Sequence, residues 1–145
     1  MRSPSRKRQY MWFCTVTEEN DGIDRIKVYS KPIRKKYRVS WTMGYVRGTA
    51  VGWNLTYDRY IDCYDRRFNP PEGTMVFVDV IPKLDKDGNL AQHEVTELDA
   101  NGNPILDEND NPVTHMEYYT EPDYIIRRVL DTQKGIVSRF VIKRV

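Results

Sequence analysis

The 145-residue sequence has few cysteines, few helix-favouring aliphatic residues and no long apolar runs. Its two cysteines, Cys14 and Cys63, are too few for the disulfide framework of a small secreted domain. No apolar run approaches the ~18 residues of a membrane-spanning helix. The basic start MRSPSRKRQY also lacks the apolar segment that follows in a signal peptide. We therefore expect a reducing compartment, no membrane partner, and both thiols as small core residues.

Leu and Ala are scarce relative to β-branched residues. Leu and Ala number nine together, whereas Val and Ile number 24. β-branched side chains lose rotamer freedom in helices and pack well on pleated sheets. The sequence predicts a single all-β domain over residues 1–145, either a small β-barrel or a sandwich of antiparallel strands.

Charge is unevenly distributed along the chain. Residues 1–82 carry 15 Lys/Arg and nine Asp/Glu (+6), residues 83–121 carry two and ten (−8), and residues 122–145 carry six and two (+4). This pattern indicates a basic N-terminal arm over residues 1–8 and an acidic, turn-rich insertion, with an acidic hairpin region, over residues 83–121. A block of like charge is typical of a solvated loop and, less often, of an interaction segment.

The segment Ile33–Met43 alternates as a strand, which places Arg34, Lys36 and Arg38 on one face. This arrangement has two interpretations. The cations belong either to a solvated sheet face or to a contact with phosphate or with an acidic protein surface.

The centre of the chain, Tyr57 to Pro82, reads as two strands joined at a corner. Alternation over Val51–Tyr64 assigns Ile61 and Cys63 to the core. Arg59 is the charged residue on that apolar face, so it either lies at the rim or pairs with a carboxylate such as Asp79. The Pro-rich segment Asp65–Gly73 forms the corner, and Thr74–Ile81 is expected to be the most buried strand.

The flanking strands are predicted from the same patterns. Gln9–Thr17 is apolar on both faces, Glu18–Gly22 reads as a turn, and Ile23–Tyr29 returns. Pro122–Val145 reads as a closing hairpin, with arms Tyr124–Leu130 and Ile136–Val145 around a loop at Asp131–Gly135, and with its last strand held in a sheet.

The acidic insertion contains an internal repeat. Leu98–Ile105 is followed directly by a second copy, Leu106–Val113, and Leu84–Leu90 is a partial copy. Asp, Asn and Gly favour turns, so each copy should be a turn between short extended arms. A calcium loop is the functional alternative. With Gly88 at the sixth position of such a loop, Lys83 occupies the first position, where an acid is needed. With Gly102 there, Pro104 interrupts the loop. No flanking helices are evident, so we expect neither metal nor cofactor.

Catalytic motifs are missing from the sequence. His93 and His115 have no Cys or second His at ligand spacing, and no nucleophile–base set is present. Asp58 and Asp62 share the polar face of a strand and are interpreted as surface charge. We expect a protein that is not an enzyme.

Two segments together resemble a known family. YDRYIDCYDRRFNPPEGTMVFVDVIP, with Asp58–Arg66, Gly73, Met75–Asp79 and Pro82, is similar to the central pattern of head-closure (stopper) proteins at the head–tail connector of tailed bacteriophages. Pro122–Val145 resembles the closing hairpin of the same family, and the acidic repeat looks like an insertion.

The resemblance implies a structural virion protein, assembled in the host cytoplasm. In that family, a small β-barrel forms a homo-oligomeric ring below the portal and adaptor proteins. The ring closes the head, joins it to the tail proteins and passes DNA through its lumen without sequence specificity. The candidate contacts with partners or DNA are the basic residues Arg2, Arg6, Lys7, Arg8, Arg34, Lys36, Arg38, Arg66 and Arg67.

Two alternatives remain open. A monomeric nucleic-acid-binding β-barrel would use the basic strand and exposed tyrosines as a stacking platform. A tail-completion or decoration protein of a virion is the other alternative.

Overall fold

The structure, a computed structural model, describes residues 8–20, 25–40, 59–132 and 137–145. Within these ranges the secondary structure is ten β-strands: β1 (Arg8–Cys14), β2 (Val16–Asn20), β3 (Arg25–Tyr29), β4 (Ile33–Val39), β5 (Arg59–Cys63), β6 (Met75–Phe77), β7 (Gln92–Thr96), β8 (Thr114–Tyr118), β9 (Tyr124–Thr132) and β10 (Val137–Arg144). No helix in the described ranges is long and apolar enough to cross a membrane.

Six strands form a closed antiparallel barrel in the order β1-β4-β5-β10-β9-β6. Closure gives every barrel strand a hydrogen-bonded neighbour on both sides. Two further strand pairs, β2–β3 and β7–β8, form separate hairpins. The all-β prediction is confirmed, and the barrel replaces the sandwich alternative.

The barrel interior is filled by large apolar side chains. Its fully buried members include Met11, Phe13, Ile61, Val76, Ile126, Phe140 and Ile142. Phe68, from the corner after β5, packs against this core, with its ring centroid 4.9 Å from that of Phe13 and 6.2 Å from that of Phe140. The corner therefore contributes an aromatic ring to the barrel core.

For the central segment Tyr57–Pro82, the predicted core residues and the predicted ion pair are confirmed. Ile61 and Cys63 are buried, and Cys14 is buried as well. Arg59 pairs with Asp79, with 2.7 Å between the guanidinium Nη1 and the carboxylate Oδ2.

The strand predicted over Thr74–Ile81 is shorter than expected. Residues 74–78 are buried, but β6 ends at Phe77 and Ile81 is 76% exposed. The cause is Asp123, whose carboxylate accepts the backbone N–H groups of Val78 (2.8 Å) and Asp79 (2.9 Å). These N–H groups are therefore satisfied by a side chain rather than by a neighbouring strand.

The prediction of one strand over Gln9–Thr17 is wrong at its end. The chain leaves the barrel at Thr15, which exchanges hydrogen bonds with Ser30, and continues as β2 in a hairpin with β3. Glu18, Glu19 and Asn20 lie in β2 rather than in a turn, because the β2–β3 ladder extends to the Asn20–Arg25 pair.

The closing hairpin is confirmed, with a longer first strand, Tyr124–Thr132, and a second strand that spans Val137–Arg144. β9 continues through Asp131, which pairs with Ser138 of β10, so the predicted loop begins too early. The last strand is held in the barrel, and the Val145 N–H donates to the carbonyl of Asp123 at 3.0 Å.

Several predictions lie outside the described residues. They concern the arm residues Arg2, Arg6 and Lys7, the turn at Asp21–Gly22, the end of the predicted strand at 41–43, the stretch 51–58 and the loop at 133–136.

Candidate functional site: a basic barrel face and an acidic arm

One outer face of the barrel is rich in cations. Strands β1 and β4 pair so that Tyr10 lies opposite Lys36 and Trp12 opposite Arg34. The Arg34 guanidinium lies 4.6 Å from the centroid of the Tyr10 ring and the Lys36 ammonium 5.2 Å from it. We call Arg8, Tyr10, Arg34, Lys36 and Arg38 the basic face. The prediction that the three β4 cations share one face is confirmed, since Tyr37 and Val39 are buried on the other.

A row of charges crosses four strands at the edge of this face. Arg8 pairs in register with Arg38, Arg38 with Asp62, and Asp62 with Arg139. The Asp62 carboxylate is 6% exposed and accepts a hydrogen bond from Arg139 Nε at 2.9 Å. Asp62 was predicted to be surface charge; its pairing with Arg139, on the neighbouring strand, accounts for its burial.

The row borders a cleft of about 250 Å³, lined by Arg8, Lys36, Tyr37, Arg38, Asp62, Tyr64 and Asp65. Arg8 Nε is buried and has no hydrogen-bond partner among the described residues. Like charges directly opposite each other on neighbouring strands are unfavourable. The lining carries three cations, Arg8, Lys36 and Arg38, against two carboxylates, so the cleft has an excess of positive charge.

The second carboxylate of the cleft is also engaged. Asp65 accepts a hydrogen bond from the backbone N–H of Arg67 at 3.0 Å and pairs with Lys35 at 3.4 Å. The Arg67 N–H and the Lys35 ammonium hold the pKa of Asp65 below its usual value. Arg66 and Arg67 are exposed on the corner and do not line the cleft, so the structure does not bring these two predicted contacts into it.

The segment 83–121, here called the acidic arm, is built on the β7–β8 hairpin, which runs from the Gln92–Tyr118 pair to the Thr96–Thr114 pair. Its root is fixed to the body of the protein. Leu90 is buried with Cys14, Tyr29, Met75 and Phe77 in a second core cluster. The Tyr118 hydroxyl accepts the backbone N–H of Tyr29 at 3.1 Å, and the two rings meet edge to face. The arm is therefore a braced element of the fold.

The three repeat copies form three loops of one geometry. In each loop the first Asp accepts two backbone N–H groups with one carboxylate oxygen, at 2.8 Å and 3.0 Å: Asp85 from Asp87 and Asn89, Asp99 from Asn101 and Asn103, and Asp107 from Asn109 and Asn111. Gly88, Gly102 and Asp110 occupy the same position with φ of 84°, 82° and 63°. The predicted turns are confirmed, with Asp in the left-handed conformation in the third.

The tip of the arm combines acidic and apolar exposure. Every residue from Leu98 to Pro112 is exposed. The segment 97–113 carries five carboxylates and no Lys or Arg. Leu98 is 57% exposed, Ile105 40% and Leu106 52%. A surface with both kinds of group is typical of a site that contacts another protein.

The titratable His, Cys, Asp and Glu side chains do not form a metal cluster in the part of the chain that the structure describes. No group of three or more His, Cys, Asp and Glu side chains is placed there to hold a metal ion. His115 instead pairs with Glu117 (2.7 Å) and Glu97 (3.3 Å), and the Glu117 hydrogen bond raises the pKa of His115 above 6.5. Burial raises the pKa of Cys14 to about 12 and also raises that of Cys63, which disfavours the thiolate form of both side chains.

Sequence reasoning missed Arg8 as the cross-strand neighbour of Arg38, the burial of Asp62 and the hydrogen bonds from Val78 and Asp79 to Asp123. All three depend on neighbours distant in the chain, which a single sequence does not show. Comparison with protein-family models, curated proteins and solved structures found no match to this chain.

Proposed function

We propose that this protein is a structural component of the head–tail connector of a tailed bacteriophage. In this proposal, copies of the barrel form a ring that closes the head below the portal and adaptor, joins it to the tail and passes DNA through its lumen. The protein then belongs to the virion, and its partners are copies of itself, portal or adaptor proteins, tail proteins and DNA bound without sequence specificity.

The observation that carries the proposal is that one small fold has a basic surface on its barrel and an acidic surface on its arm. The barrel supplies a closed body with a basic face, and a braced acidic arm exposes carboxylates and large aliphatic side chains at its tip. A surface that exposes Leu98, Ile105 and Leu106 is typical of protein contacts. The resemblance of Tyr57–Pro82 and Pro122–Val145 to head-closure proteins gives these contacts their proposed setting.

A monomeric nucleic-acid-binding barrel is the second candidate, because the basic face concentrates four cations around Tyr10. Base stacking needs an accessible ring face. Arg34 and Lys36 already stack on the Tyr10 ring, so this tyrosine is a poor platform for bases. The cations themselves can still bind phosphate, which makes affinity for free nucleic acid the measurement that separates the two functions.

The proposal is tested by the assembly state of the purified full chain. Sedimentation velocity, native mass spectrometry and negative-stain electron microscopy should show a closed ring with a central channel as concentration rises. Affinity for single- and double-stranded DNA is measured in parallel over a salt series. We expect weak DNA binding by the monomer.

Two results would count against a connector. A chain that stays monomeric and binds DNA tightly, with affinity falling steeply as salt rises, would favour the nucleic-acid-binding barrel. A chain that coats preformed heads or tail tips in place of forming a channel-bearing ring would favour a decoration or tail-completion protein.

A further inference from the structure

We propose that the tip loop 106–112 of the acidic arm docks into the basic cleft on a second copy of the same chain. The cleft is the one bordered by Arg8, Lys36 and Arg38. This inference rests on the proposed ring in one respect only, that copies of the chain are neighbours, and it names the surfaces that meet.

The acceptor side has more positive charge than its own carboxylates balance. Asp62 is bonded to Arg139, and Asp65 is bonded to Lys35, so both acids of the cleft have partners outside its cation set. Arg8 and Arg38 lie opposite each other, and Arg8 Nε is buried with no partner among the described residues. An incoming carboxylate would relieve the like-charge contact and give the guanidinium groups the acceptor they favour.

The donor side has the opposite imbalance. Loop 106–112 contains Asp107, Glu108 and Asp110 and no cation, a charge of −3, whereas loops 84–90 and 98–104 each carry −1. The whole loop is exposed, so it does not pack against its own barrel. Because the root of the arm is braced through Leu90 and Tyr118, the loop is presented on a firm support, and docking loses less conformational freedom.

The two surfaces also match in their apolar parts. Tyr64 is 38% exposed in the cleft, and Leu106 is 52% exposed on the docking loop. Aliphatic side chains gain nothing from contact with a phosphate backbone, whereas they pack on an exposed tyrosine ring such as that of Tyr64. A protein partner therefore fits this arrangement better than a nucleic acid does.

The contact joins different surfaces of the two copies. A heterologous contact of this kind closes into a ring when the rotation between copies permits, and otherwise continues as an open chain. The charge difference between the arm (−8) and residues 1–82 (+6) would steer copies into that orientation.

The first experiment measures self-association of the full chain by sedimentation at low and high salt. Glu108→Gln/Asp110→Asn should weaken association about tenfold, and Arg8→Gln/Arg38→Gln should do the same. The matched control is Asp87→Asn/Glu94→Gln, which removes two exposed acids elsewhere on the arm. It should leave association nearly unchanged. Thermal melts establish that each variant is folded.

The second experiment reverses the charges. A chain with Glu108→Lys/Asp110→Lys and a chain with Arg8→Glu/Arg38→Glu should each associate poorly alone, and their mixture should recover association. Recovery in the mixture shows direct contact between copies, which a general effect on folding cannot produce.

Several results would overturn the docking. They are no self-association at the highest soluble concentration in low salt, an equal loss in the control variant, or no recovery in the mixture. Retained self-association in Arg8→Gln/Arg38→Gln combined with lost DNA binding would assign the cleft to nucleic acid. If the tip variants still form a ring, the docking is wrong and the proposed ring stands. If the copies form an open chain and the charge-reversed mixture restores it, the docking stands and the proposed ring is wrong.

Discussion

Replacement of Asp79 should lower the free energy of unfolding more than replacement of its ion-pair partner Arg59. The Arg59 side chain is 12% exposed and that of Asp79 is 57% exposed. Arg59 also donates to the Ser40 carbonyl at 2.6 Å and lies over the Tyr124 ring. Burial lowers the pKa of Arg59, but hydrogen bonds to Tyr124 and Asp79 raise it by more, so the guanidinium stays charged.

Removal of Asp79 leaves that charge nearly buried, with the Ser40 carbonyl and the neutral Tyr124 side chain as its remaining partners. Breaking a fully buried ion pair costs about 3–5 kcal/mol, and the remaining Ser40 bond and the exposure of Asp79 reduce the expected loss for Asp79→Ala to about 2 kcal/mol. Arg59→Met removes the charge and keeps most of the apolar stem, while Asp79 is left in water. Its expected loss is about 1 kcal/mol.

Urea denaturation followed by tryptophan fluorescence measures the free energy of unfolding of each variant. The double variant Arg59→Met/Asp79→Ala should be more stable than Asp79→Ala alone, because it has no orphaned charge. Glu72→Ala, at an exposed acid of the same stretch, should change stability by less than about 0.5 kcal/mol. An orphaned Arg59 charge is ruled out if Asp79→Ala lowers the free energy of unfolding no more than Glu72→Ala does. It is also ruled out if Arg59→Met lowers that free energy more than Asp79→Ala does.

Three further measurements test other parts of the structure. Phe68→Ala should lower the free energy of unfolding by about 3 kcal/mol, because it removes a ring packed on the barrel core, and Phe68→Leu should cost less than half as much in the same denaturation assay. NMR titration of His115 should give a pKa above 6.5, and Glu117→Gln should lower it. Since the folded-state pKa is raised, the stabilisation from protonated His115 is complete below pH 6.5 and disappears as pH rises through the folded-state pKa. With a pKa of about 12, Cys14 should resist a thiol reagent at pH 8 in the native protein, as should Cys63, and both should react once urea unfolds it.

Local patterns predicted the parts of the fold that local chemistry determines. The repeated Asp-led loops follow from the preference of Asp, Asn and Gly for turns, and Ile61 and Cys63 follow from strand alternation. The Arg59–Asp79 pair was predictable because an apolar face contained one charge and the next strand offered a single carboxylate.

The remaining features depend on neighbours distant in sequence. β1 ends at Cys14 because Thr15 bonds to Ser30, and β6 ends at Phe77 because Asp123 satisfies the next two N–H groups. The cleft requires Arg8 and Arg38 in register across β1 and β4. Alternation assigns a side chain to a face but does not identify the strand beside it, so no local pattern predicts these contacts.

Each repeat unit of the acidic arm is closed by a backbone hydrogen bond between its two ends. In every copy a backbone N–H donates to the carbonyl eight residues earlier: Ala91 to Lys83, Ile105 to Glu97 and Val113 to Ile105. The Glu97 N–H in turn donates to the Val113 carbonyl, so deletion of residues 98–105 would leave Glu97 and Val113 as an ordinary antiparallel pair. The arm can therefore gain or lose whole eight-residue modules by tandem duplication or deletion, and its reach can change without any adjustment of the barrel that supports it.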